Sequence, residues 1–360
     1  TAGGDTASAL AAGCPVIVKA HDSHLGVNDL VAGAIIRAAQ KTNMPEGVFS
    51  SLNGKGFETG KELVLHKDVK AVAFTGSFAG GKALYDLAQT RKNPIPIFAE
   101  MGSINPVVLL ENKLKKEGET LAKIYAGSIT LGVGQFCTNP GLLIGVRSEA
   151  LSNFATSLAN ELNNIGSSTM LNKGITENYI TKRSELLSSK SVQLSTKNNN
   201  GFSVPTLATT TGENFMENNQ LHHEVFGPLS LLVECEDQAE LEKVVETLEG
   251  QLTGTFMCTD EDLSSNQNLV SILQEKVGRL IFNAAPTGVE VCHSMHHGGP
   301  YPSTTDSRFT SVGTGAIHRF VRPICYQGMP PSLLPEELKD ENPLKIWRKI
   351  DGKITDSAVS

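Results

Sequence analysis

The sequence predicts an α/β protein in which parallel strands are covered by helices. Short apolar runs alternate with stretches of helical periodicity over the first 110 residues, which is typical of successive strand–helix units. Glycine accounts for 34 of the 360 residues, an excess that suits tight turns between strands and helices. A chain of this length corresponds to about two domains.

The first region predicts four strands and four helices in alternation. Asp5 is expected to cap the first helix and Gly13 to end it. The predicted strands are 15–19, 48–52, 70–76 and 95–100. The predicted helices are 5–12, 27–42, 58–66 and 79–90. Each strand is short and apolar, as buried strands of a parallel sheet are.

A second α/β region of more mixed pattern follows from about residue 104. Its predicted strands are 105–110, 141–146, 229–234 and 278–283. Its predicted helices are 113–131, 149–164, 174–188, 237–248 and 261–275. The polar segment 195–203 predicts an exposed loop. The proline-rich stretch 323–360 predicts extended chain, because proline interrupts helices.

Charge and composition exclude several classes of function. The formal net charge of −7 gives no electrostatic basis for binding nucleic acid or an anionic membrane. No apolar run approaches the ~20 residues that span a bilayer. The six cysteines form no CxxC pair, so we expect neither a disulfide framework nor a zinc cluster. A reducing, cytoplasmic environment follows as the prediction.

Two glycine-rich segments resemble phosphate-binding loops to different degrees. GKGFETGK at 54–61 matches neither the Walker pattern nor G-x-G-x-x-G, and a surface turn is the better interpretation. FTGSFAGG at 74–81 runs from a strand through Gly76 and Ser77 into a helix. That arrangement suits a phosphate at the helix N-terminus, although a tight turn with a serine cap explains it equally well.

Two side chains are candidates for catalytic roles. Cys137 lies in the turn GQFCTNPG, which can expose a thiol and offer backbone N–H groups to an oxyanion; a structural cysteine is the alternative. Glu100 ends an apolar strand, where partial burial would raise its pKa toward that of a general base; a solvent-exposed acid is the alternative. The histidines at 293, 296 and 297 have poor ligand spacing, so no metal is predicted.

Taken together, five segments resemble the aldehyde dehydrogenase superfamily in order and spacing. They are VIVKAHDSH, FTGSFAGG, FAEMGSINP, GVGQFCTNPG and HHEVFGP. The segments AEMGSINP, PTGVEVCHSMHHGGPYPSTTDSR and RPICYQ resemble one branch, which holds α-ketoglutaric semialdehyde (2,5-dioxopentanoate) dehydrogenases and NADP-linked fatty aldehyde dehydrogenases. The resemblance covers essentially the whole chain.

The resemblance implies a fold and three regions. The fold would be aldehyde dehydrogenase-like, with a partial Rossmann-type cofactor domain and an α/β catalytic domain. Residues 1–103 would be the C-terminal part of the NAD(P)-binding domain, 104–318 the catalytic domain, and 319–360 a return segment and oligomerisation tail. Because family members are longer and carry an upstream asparagine that supplies an oxyanion donor, we expect the chain to be N-terminally truncated.

The resemblance also implies a mechanism. Cys137 would attack the aldehyde to give a thiohemiacetal and then a thioester, and Glu100 would be the general base for hydrolysis. The substrate would be an aldehyde, 2,5-dioxopentanoate or else a fatty or other aliphatic aldehyde. A thiol esterase or acyltransferase, or a catalytically impaired fragment, are the alternatives. The intact enzyme would be a homodimer or homotetramer.

Cofactor and substrate contacts carry over residue by residue. Lys19 would reach the adenosine ribose and Glu224 the nicotinamide ribose of NAD or NADP. The remaining cofactor positions are Gly76, Ser77, Gly80, Met101, Gly102 and Phe226. Asp22 and Phe57 depart from the pattern of NADP-preferring relatives, and a carboxylate repels a 2′-phosphate while it accepts ribose hydroxyls, so we expect NAD preference or dual use. Arg308 is a candidate for the distal carboxylate, with pairing to Asp306 as the equal alternative.

Overall fold

A computed structural model describes residues 1–199 and 201–359 of the protein. Residues 1–320 form one compact unit and residues 321–360 a second. Within the described residues, no helix is both long enough and apolar enough to cross a membrane. The predicted boundary between 103 and 104 falls between two strands of the first unit and stays a prediction.

The first quarter of the chain forms the expected strand–helix repeats. The strands are β1 (Val16–Lys19), β2 (Phe49–Leu52), β3 (Val72–Thr75) and β4 (Ile97–Glu100). The helices are α1 (Gly4–Ala11), α2 (Leu25–Lys41), α3 (Gly56–Leu65) and α4 (Phe78–Gln89). β1 pairs in parallel with β2, and β3 pairs in parallel with β4 so that Thr75 lies opposite Glu100. Glu100 therefore ends its strand beside the loop that leads into α4.

A seven-stranded sheet follows. Its strands are β5 (Val107–Leu109), β6 (Leu142–Val146), β7 (Gln193–Leu194), β8 (Thr206–Thr211), β9 (Leu229–Cys235), β10 (Gln251–Met257) and β11 (Val277–Phe282). Their order is β11-β10-β5-β6-β9-β8-β7. All neighbours pair in parallel except β7 and β8. β11 is thus an edge strand of the sheet.

Helices cover both faces of this sheet. They are α5 (Glu111–Thr130), α6 (Glu149–Asn163), α7 (Lys173–Ser188), α8 (Gly212–Glu217), α9 (Gln238–Thr247), α10 (Asp260–Ser265) and α11 (Gln267–Gln274). On one face α5 and α6 pack Tyr125 and Phe154 against β5 and β6. On the other face α7, α8, α9 and α11 bury a second apolar cluster that includes Phe215 and Phe256. These two cores fix the sheet on which the site stands.

The second unit contains a hairpin that the sequence analysis did not predict. β12 (Arg348–Ile350) and β13 (Lys353–Thr355) pair antiparallel. The turn is Asp351-Gly352, with φ of 48° and 81°. An Asp-Gly pair between two strands favours this kind of turn. The pair was overlooked because the surrounding prolines led to a prediction of extended chain.

Several predicted elements need correction. The N-cap of α1 is Gly3, not Asp5, which lies in the first turn and instead pairs with Arg319. The segment 54–61 is mostly the start of α3 rather than a surface turn. Helix 261–275 is two helices that meet at Asn266. Strands β8 and β10 were missed, because buried strands that contain several threonines show neither alternation nor a continuous apolar run. Strand β7, of two residues, and helix α8, of six, were missed because they are too short to show a period.

The polar segment 195–203 is a loop, as predicted. Residue 200 lies outside the described residues. Most of the described loop residues are exposed, but Thr196 and Ser203 are buried. The Thr196 hydroxyl accepts a hydrogen bond from the Leu207 N–H, and the Ser203 hydroxyl accepts one from the Ser168 N–H. These bonds tie the loop to its neighbours.

Candidate active site

Cys137 follows a sharp turn at the end of α5. The turn spans Leu131–Gly134, and Gly132, Val133 and Gly134 all have positive φ, between 56° and 68°. Gly134 fits directly against the backbone of Gly227, where an added Cβ would lie 2.3 Å from the carbonyl carbon. Only glycine allows such a close approach. The turn therefore sends the chain back toward the sheet and positions the thiol.

Asn105 holds the cysteine loop in place. Its Nδ2 donates to the backbone oxygens of Cys137 and Asn139, at 2.8 and 2.9 Å. Asn139 in turn donates to the Gly227 oxygen at 3.1 Å. These buried bonds fix the backbone on both sides of Thr138. The thiol thus stands on a rigid support, as a nucleophile requires.

Glu100 is buried at the end of β4. It is 6% exposed, so the alternative of a solvent-exposed acid is wrong. The backbone on both sides is held, since the Gly76 N–H donates to the Glu100 oxygen at 3.0 Å and the Met101 N–H to the Ser303 oxygen at 2.8 Å. The carboxylate points to the cysteine loop.

His297 joins these two side chains, and the sequence analysis missed it. Its Nε2 lies 3.1 Å from Glu100 Oε1 and 3.4 Å from Cys137 Sγ, and the residue is 3% exposed. The His297 N–H donates to Thr310 Oγ1 at 2.8 Å, and the His297 oxygen accepts from the Ser311 N–H at 2.8 Å. No local pattern signals this contact, because 160 and 197 positions separate His297 from its partners.

The predicted pKa of Glu100 has the wrong direction. Burial raises the pKa, but the hydrogen bond and the charge interaction with His297 lower it, as do the neighbouring Ser311 hydroxyl and Cys137 thiol, and the net result lies below the usual value. Together these neighbours, which favour the charged form, outweigh desolvation. Glu100 is therefore an ionised carboxylate that accepts hydrogen bonds from His297 and Ser311.

The thiol of Cys137 is protonated at rest. Burial, followed by the charge of Glu100, raises its pKa to about 12. A thiol is a weak nucleophile compared with its thiolate. Attack on a substrate therefore requires a base within reach, and the cysteine, carboxylate and imidazole ligand atoms all lie within 4.8 Å of one another. Those three atoms could also hold a metal ion; the absence of a metal stays a prediction.

The start of α4 fits a pyrophosphate. Ser77 is its N-cap, and the Ser77 hydroxyl accepts from the Gly80 N–H at 3.2 Å. Gly76 lies so close to Phe74 that an added Cβ would stand 2.6 Å from the ring. The first N–H groups of a helix lack intrahelical acceptors and attract anions. Gly76, Ser77 and Gly80 thus lie together at the N-terminus of a helix, as the sequence predicted.

Lys19 and Asp22 lie together at the end of β1. Lys19 Nζ is 2.8 Å from Asp22 Oδ1. The bond from Lys19 is the main reason why the pKa of Asp22 falls below its usual value, and the Gly56 N–H at the start of α3 adds to it. Phe57 follows on that helix and is 87% exposed. A negative charge thus occupies the start of α3.

Glu224 and Phe226 line one pocket with Ser103 and Gly227. The Glu224 carboxylate lies against Gly102, where an added Cβ would stand 2.6 Å from Oε2. Burial raises the pKa of Glu224 to about 7, although a hydrogen bond from the Ser103 N–H lowers it. Met101 is different, since its buried side chain packs against Gly81, so only its backbone is available to a ligand.

The Arg308 guanidinium is already paired with a carboxylate. Its Nε and NH2 donate to both carboxylate oxygens of Asp306, at 2.8 and 2.5 Å, and its side chain is 79% exposed. The structure thus contains the pairing that was the alternative interpretation. Binding of a distal carboxylate by Arg308 stays a prediction.

This geometry defines a class of enzyme. A buried thiol beside an ionised carboxylate can attack an electrophilic carbon and hand over its proton, and the start of α4 suits a dinucleotide. Residues 1–322 match the aldehyde dehydrogenase family. The chain belongs to that family and is an NAD(P)-dependent aldehyde dehydrogenase.

Individual relatives share most of the chain. It is 48% identical over 359 residues to alpha-ketoglutaric semialdehyde dehydrogenase 2 of Azospirillum brasilense, over 98% of this chain and 68% of that protein. It is 43% identical over 364 residues to alpha-ketoglutaric semialdehyde dehydrogenase of Acinetobacter baylyi, over 99% and 68%. The structure of glyceraldehyde-3-phosphate dehydrogenase GapN from Methanocaldococcus jannaschii, complexed with NADP, superposes with a TM-score of 0.73 at 19% identity, over 88% of this chain and 67% of that chain. The last likeness shows the shared fold.

Proposed function

We propose that this aldehyde dehydrogenase oxidises α-ketoglutaric semialdehyde (2,5-dioxopentanoate) to the dicarboxylate. The observation that carries the substrate is the 48% identity to an alpha-ketoglutaric semialdehyde dehydrogenase over 98% of the chain. The second such enzyme, at 43% identity, supports the same substrate. The contacts of Cys137, Glu100 and His297 support the roles that follow.

In the first step, Cys137 is the nucleophile and Glu100 the base. The Glu100 carboxylate takes the thiol proton as the sulfur attacks the aldehyde carbon, which gives a thiohemiacetal. The carboxylate oxygen and the sulfur lie within 4.8 Å of each other, so this transfer needs little rearrangement. The Cys137 backbone N–H, which lies close enough to bond its own sulfur, donates to the oxygen that gains charge.

His297 positions the carboxylate. Its Nδ1 is buried and has no hydrogen-bond partner among the described residues, so a proton on that nitrogen would be costly. We therefore place the donated proton on Nε2, which lies 3.1 Å from Glu100 Oε1. The same N–H faces the sulfur at 3.4 Å and stabilises the thiolate as it forms.

The cofactor site is formed by this chain's own residues. Gly76, Ser77 and Gly80 would hold the pyrophosphate, Lys19 the adenosine ribose and Glu224 the nicotinamide ribose. A bound NAD(P) would supply the hydride acceptor for this oxidation. Glu100 releases the thiol proton to solvent before hydrolysis begins. It then takes a proton from the water that attacks the Cys137 thioester and returns that proton to the leaving sulfur, so that the acid and the thiol are released.

Asp22 sets the cofactor preference toward NAD. Its carboxylate pairs with the Lys19 ammonium and accepts a hydrogen bond from the Gly56 N–H at the start of α3. These are the groups that would otherwise attract a 2′-phosphate. We expect kcat/KM to be higher with NAD than with NADP, and Asp22→Ser to narrow the difference. A large NADP preference in the unaltered protein would contradict this assignment.

Two further statements rest on the sequence and the family. Six free cysteines suit the cytoplasm, where thiols stay reduced. A homodimer or homotetramer is the assembly that the family resemblance implies. Both stay predictions, which cell fractionation and light scattering would test.

The reaction is tested by following NADH absorbance with 2,5-dioxopentanoate and a straight-chain fatty aldehyde. Cys137→Ser should abolish oxidation while NAD binding persists. Glu100→Gln should slow both the first hydride burst and thioester hydrolysis, because the same carboxylate takes the thiol proton and the water proton. Retained turnover in Cys137→Ser would refute the mechanism, and a marked preference for the fatty aldehyde would refute the substrate.

A further inference from the structure

Arg279 places a cation on the side of the sheet where the active site stands. On β11, Arg279 and Ile281 pair with Thr253 and Thr255 of β10. Successive residues of a strand face opposite sides of the sheet. On β10, Phe256 faces the core that contains α9 and α11. Met257 faces the core that contains α5, and Thr253 and Thr255 lie on the same side as Met257. Arg279 therefore points to the α5 face, and α5 leads directly into the turn that carries Cys137.

A loop after β11 holds the guanidinium. Arg279 NH2 donates to the Pro286 oxygen at 3.0 Å, and NH1 and NH2 donate to the Gly288 oxygen at 3.4 and 3.3 Å. The Thr287 hydroxyl between them is hydrogen-bonded to Ser128 in the last turns of α5. The guanidinium is thus fixed between the sheet edge and the helix that precedes the nucleophile.

The charge of Arg279 has no carboxylate partner among the described residues. Burial lowers its pKa, and the group that raises it is Cys137, so the guanidinium and the thiol are within electrostatic reach. Three hydrogen bonds leave two of the five guanidinium N–H groups, one of which is the buried Nε–H that lacks a partner. A half-buried cation with spare donors is suited to receive an anion.

Building on the function proposed above, we infer that Arg279 binds the distal carboxylate of the semialdehyde. In 2,5-dioxopentanoate four carbon–carbon bonds of about 1.5 Å separate the aldehyde carbon from the carboxylate carbon, so the two ends lie roughly 5 Å apart. A substrate whose aldehyde stands at Cys137 can thus place its carboxylate beside a cation that lies within electrostatic reach of the thiol. Arg308, which is exposed and already paired with Asp306, is less suited to this role.

The test is the ratio of kcat/KM for 2,5-dioxopentanoate to that for pentanal, a neutral aldehyde of equal length. Arg279→Gln should lower this ratio about 10- to 100-fold, since a hydrogen bond to a charged group contributes ~1.5–3 kcal/mol. Most of the loss should appear in KM, and Arg279→Lys should restore part of it. Arg308→Gln removes the same charge and is the matched control, for which the ratio should stay within threefold.

A second measurement does not depend on turnover. Glutarate, which has two carboxylates, should protect Cys137 of the unaltered protein from alkylation by iodoacetamide, and Arg279→Gln should need at least tenfold more glutarate. Thermal unfolding identifies a variant that fails to fold, in which case Arg279→Lys gives the decisive ratio. The inference is overturned if the ratio is unchanged in the Arg279 variants, if both substrates lose activity equally, or if Arg308→Gln changes the ratio as much. Failure of the proposed substrate shows separately, as poor oxidation of 2,5-dioxopentanoate by the unaltered protein.

Discussion

Replacement of His297 by leucine tests the arrangement of the active site most directly. Leucine has similar bulk but no donor, so the change removes the bond to Glu100 Oε1 at 3.1 Å and the contact with Cys137 Sγ at 3.4 Å. Burial is the largest influence on the pKa of Glu100, and it acts upward. Without His297, fewer donors oppose it, and the carboxylate holds its proton more tightly.

The size of the effect follows from one lost bond. A hydrogen bond to a charged group contributes ~1.5–3 kcal/mol, which corresponds to about 10- to 100-fold in the proton affinity of the carboxylate. Glu100 is a base only when ionised, and its pKa in the native protein is low, so full activity should extend to mildly acidic pH. In His297→Leu the acid limb of the pH–rate profile should move to higher pH by about 1 to 2 units, and kcat at mildly acidic pH, where the carboxylate of the variant is protonated, should fall about 10- to 100-fold.

Two assays report this change. The pH dependence of kcat measures ionisation of Glu100 in the enzyme–substrate complex. The rate of Cys137 alkylation by iodoacetamide against pH measures activation of the thiol without hydride transfer. His296→Leu is the matched control, since His296 is the neighbouring histidine and is not hydrogen-bonded to Glu100 or Cys137 among the described residues. An acid limb and an alkylation profile that stay unchanged in His297→Leu would refute the reasoning.

The remaining predictions concern stability. Burial raises the Glu224 pKa from 4.5 to about 7, so the stability that Glu224 contributes is fully present below pH 4.5 and is lost as the pH rises through 7. Glu224→Gln should therefore raise the free energy of unfolding by up to about 3 kcal/mol at pH 8 and change it little at pH 4. Urea unfolding at the two pH values measures this difference. Ser77→Ala should cost about 1 kcal/mol and Ser77→Gly only a few tenths, because alanine removes the cap of α4; equal losses would contradict the cap. Asp5→Asn should destabilise by about 1 to 3 kcal/mol, because it leaves the buried Arg319 with a weaker partner, and an unchanged Tm would exclude this.

Part of the fold follows from local sequence patterns. The alternation of apolar runs and helical periodicity predicted the four strands and four helices of the first 100 residues, because the side of each element that is buried repeats with a period that can be read locally. Boundaries moved by a few residues, as for α1, which begins at Gly4. Buried strands such as β10 were missed, because complete burial comes from neighbours that are distant in sequence.

The two side chains that we propose to react were also named from the sequence. Local residues left an alternative for both Cys137 and Glu100, the family resemblance implied their roles, and the structure brings them together. The direction of the Glu100 pKa was not available, because it depends on donors at 297 and 311. Burial alone predicts a raised pKa, and the hydrogen bonds together with the charge interaction with His297 reverse it.

The sequence by itself thus determined the α/β layers and singled out Cys137 and Glu100 as the proposed nucleophile and base, since these inferences depend on residues close together in the chain. Only the tertiary structure decided that His297 lies between them, that Asp5 pairs with Arg319 and that Arg279 faces the nucleophile's side of the sheet. Each of these depends on contacts across long stretches of chain, or on which face of a strand a residue occupies. Those contacts set the hydrogen bonds and charges of the site, and they are fixed when the sheets and helices pack.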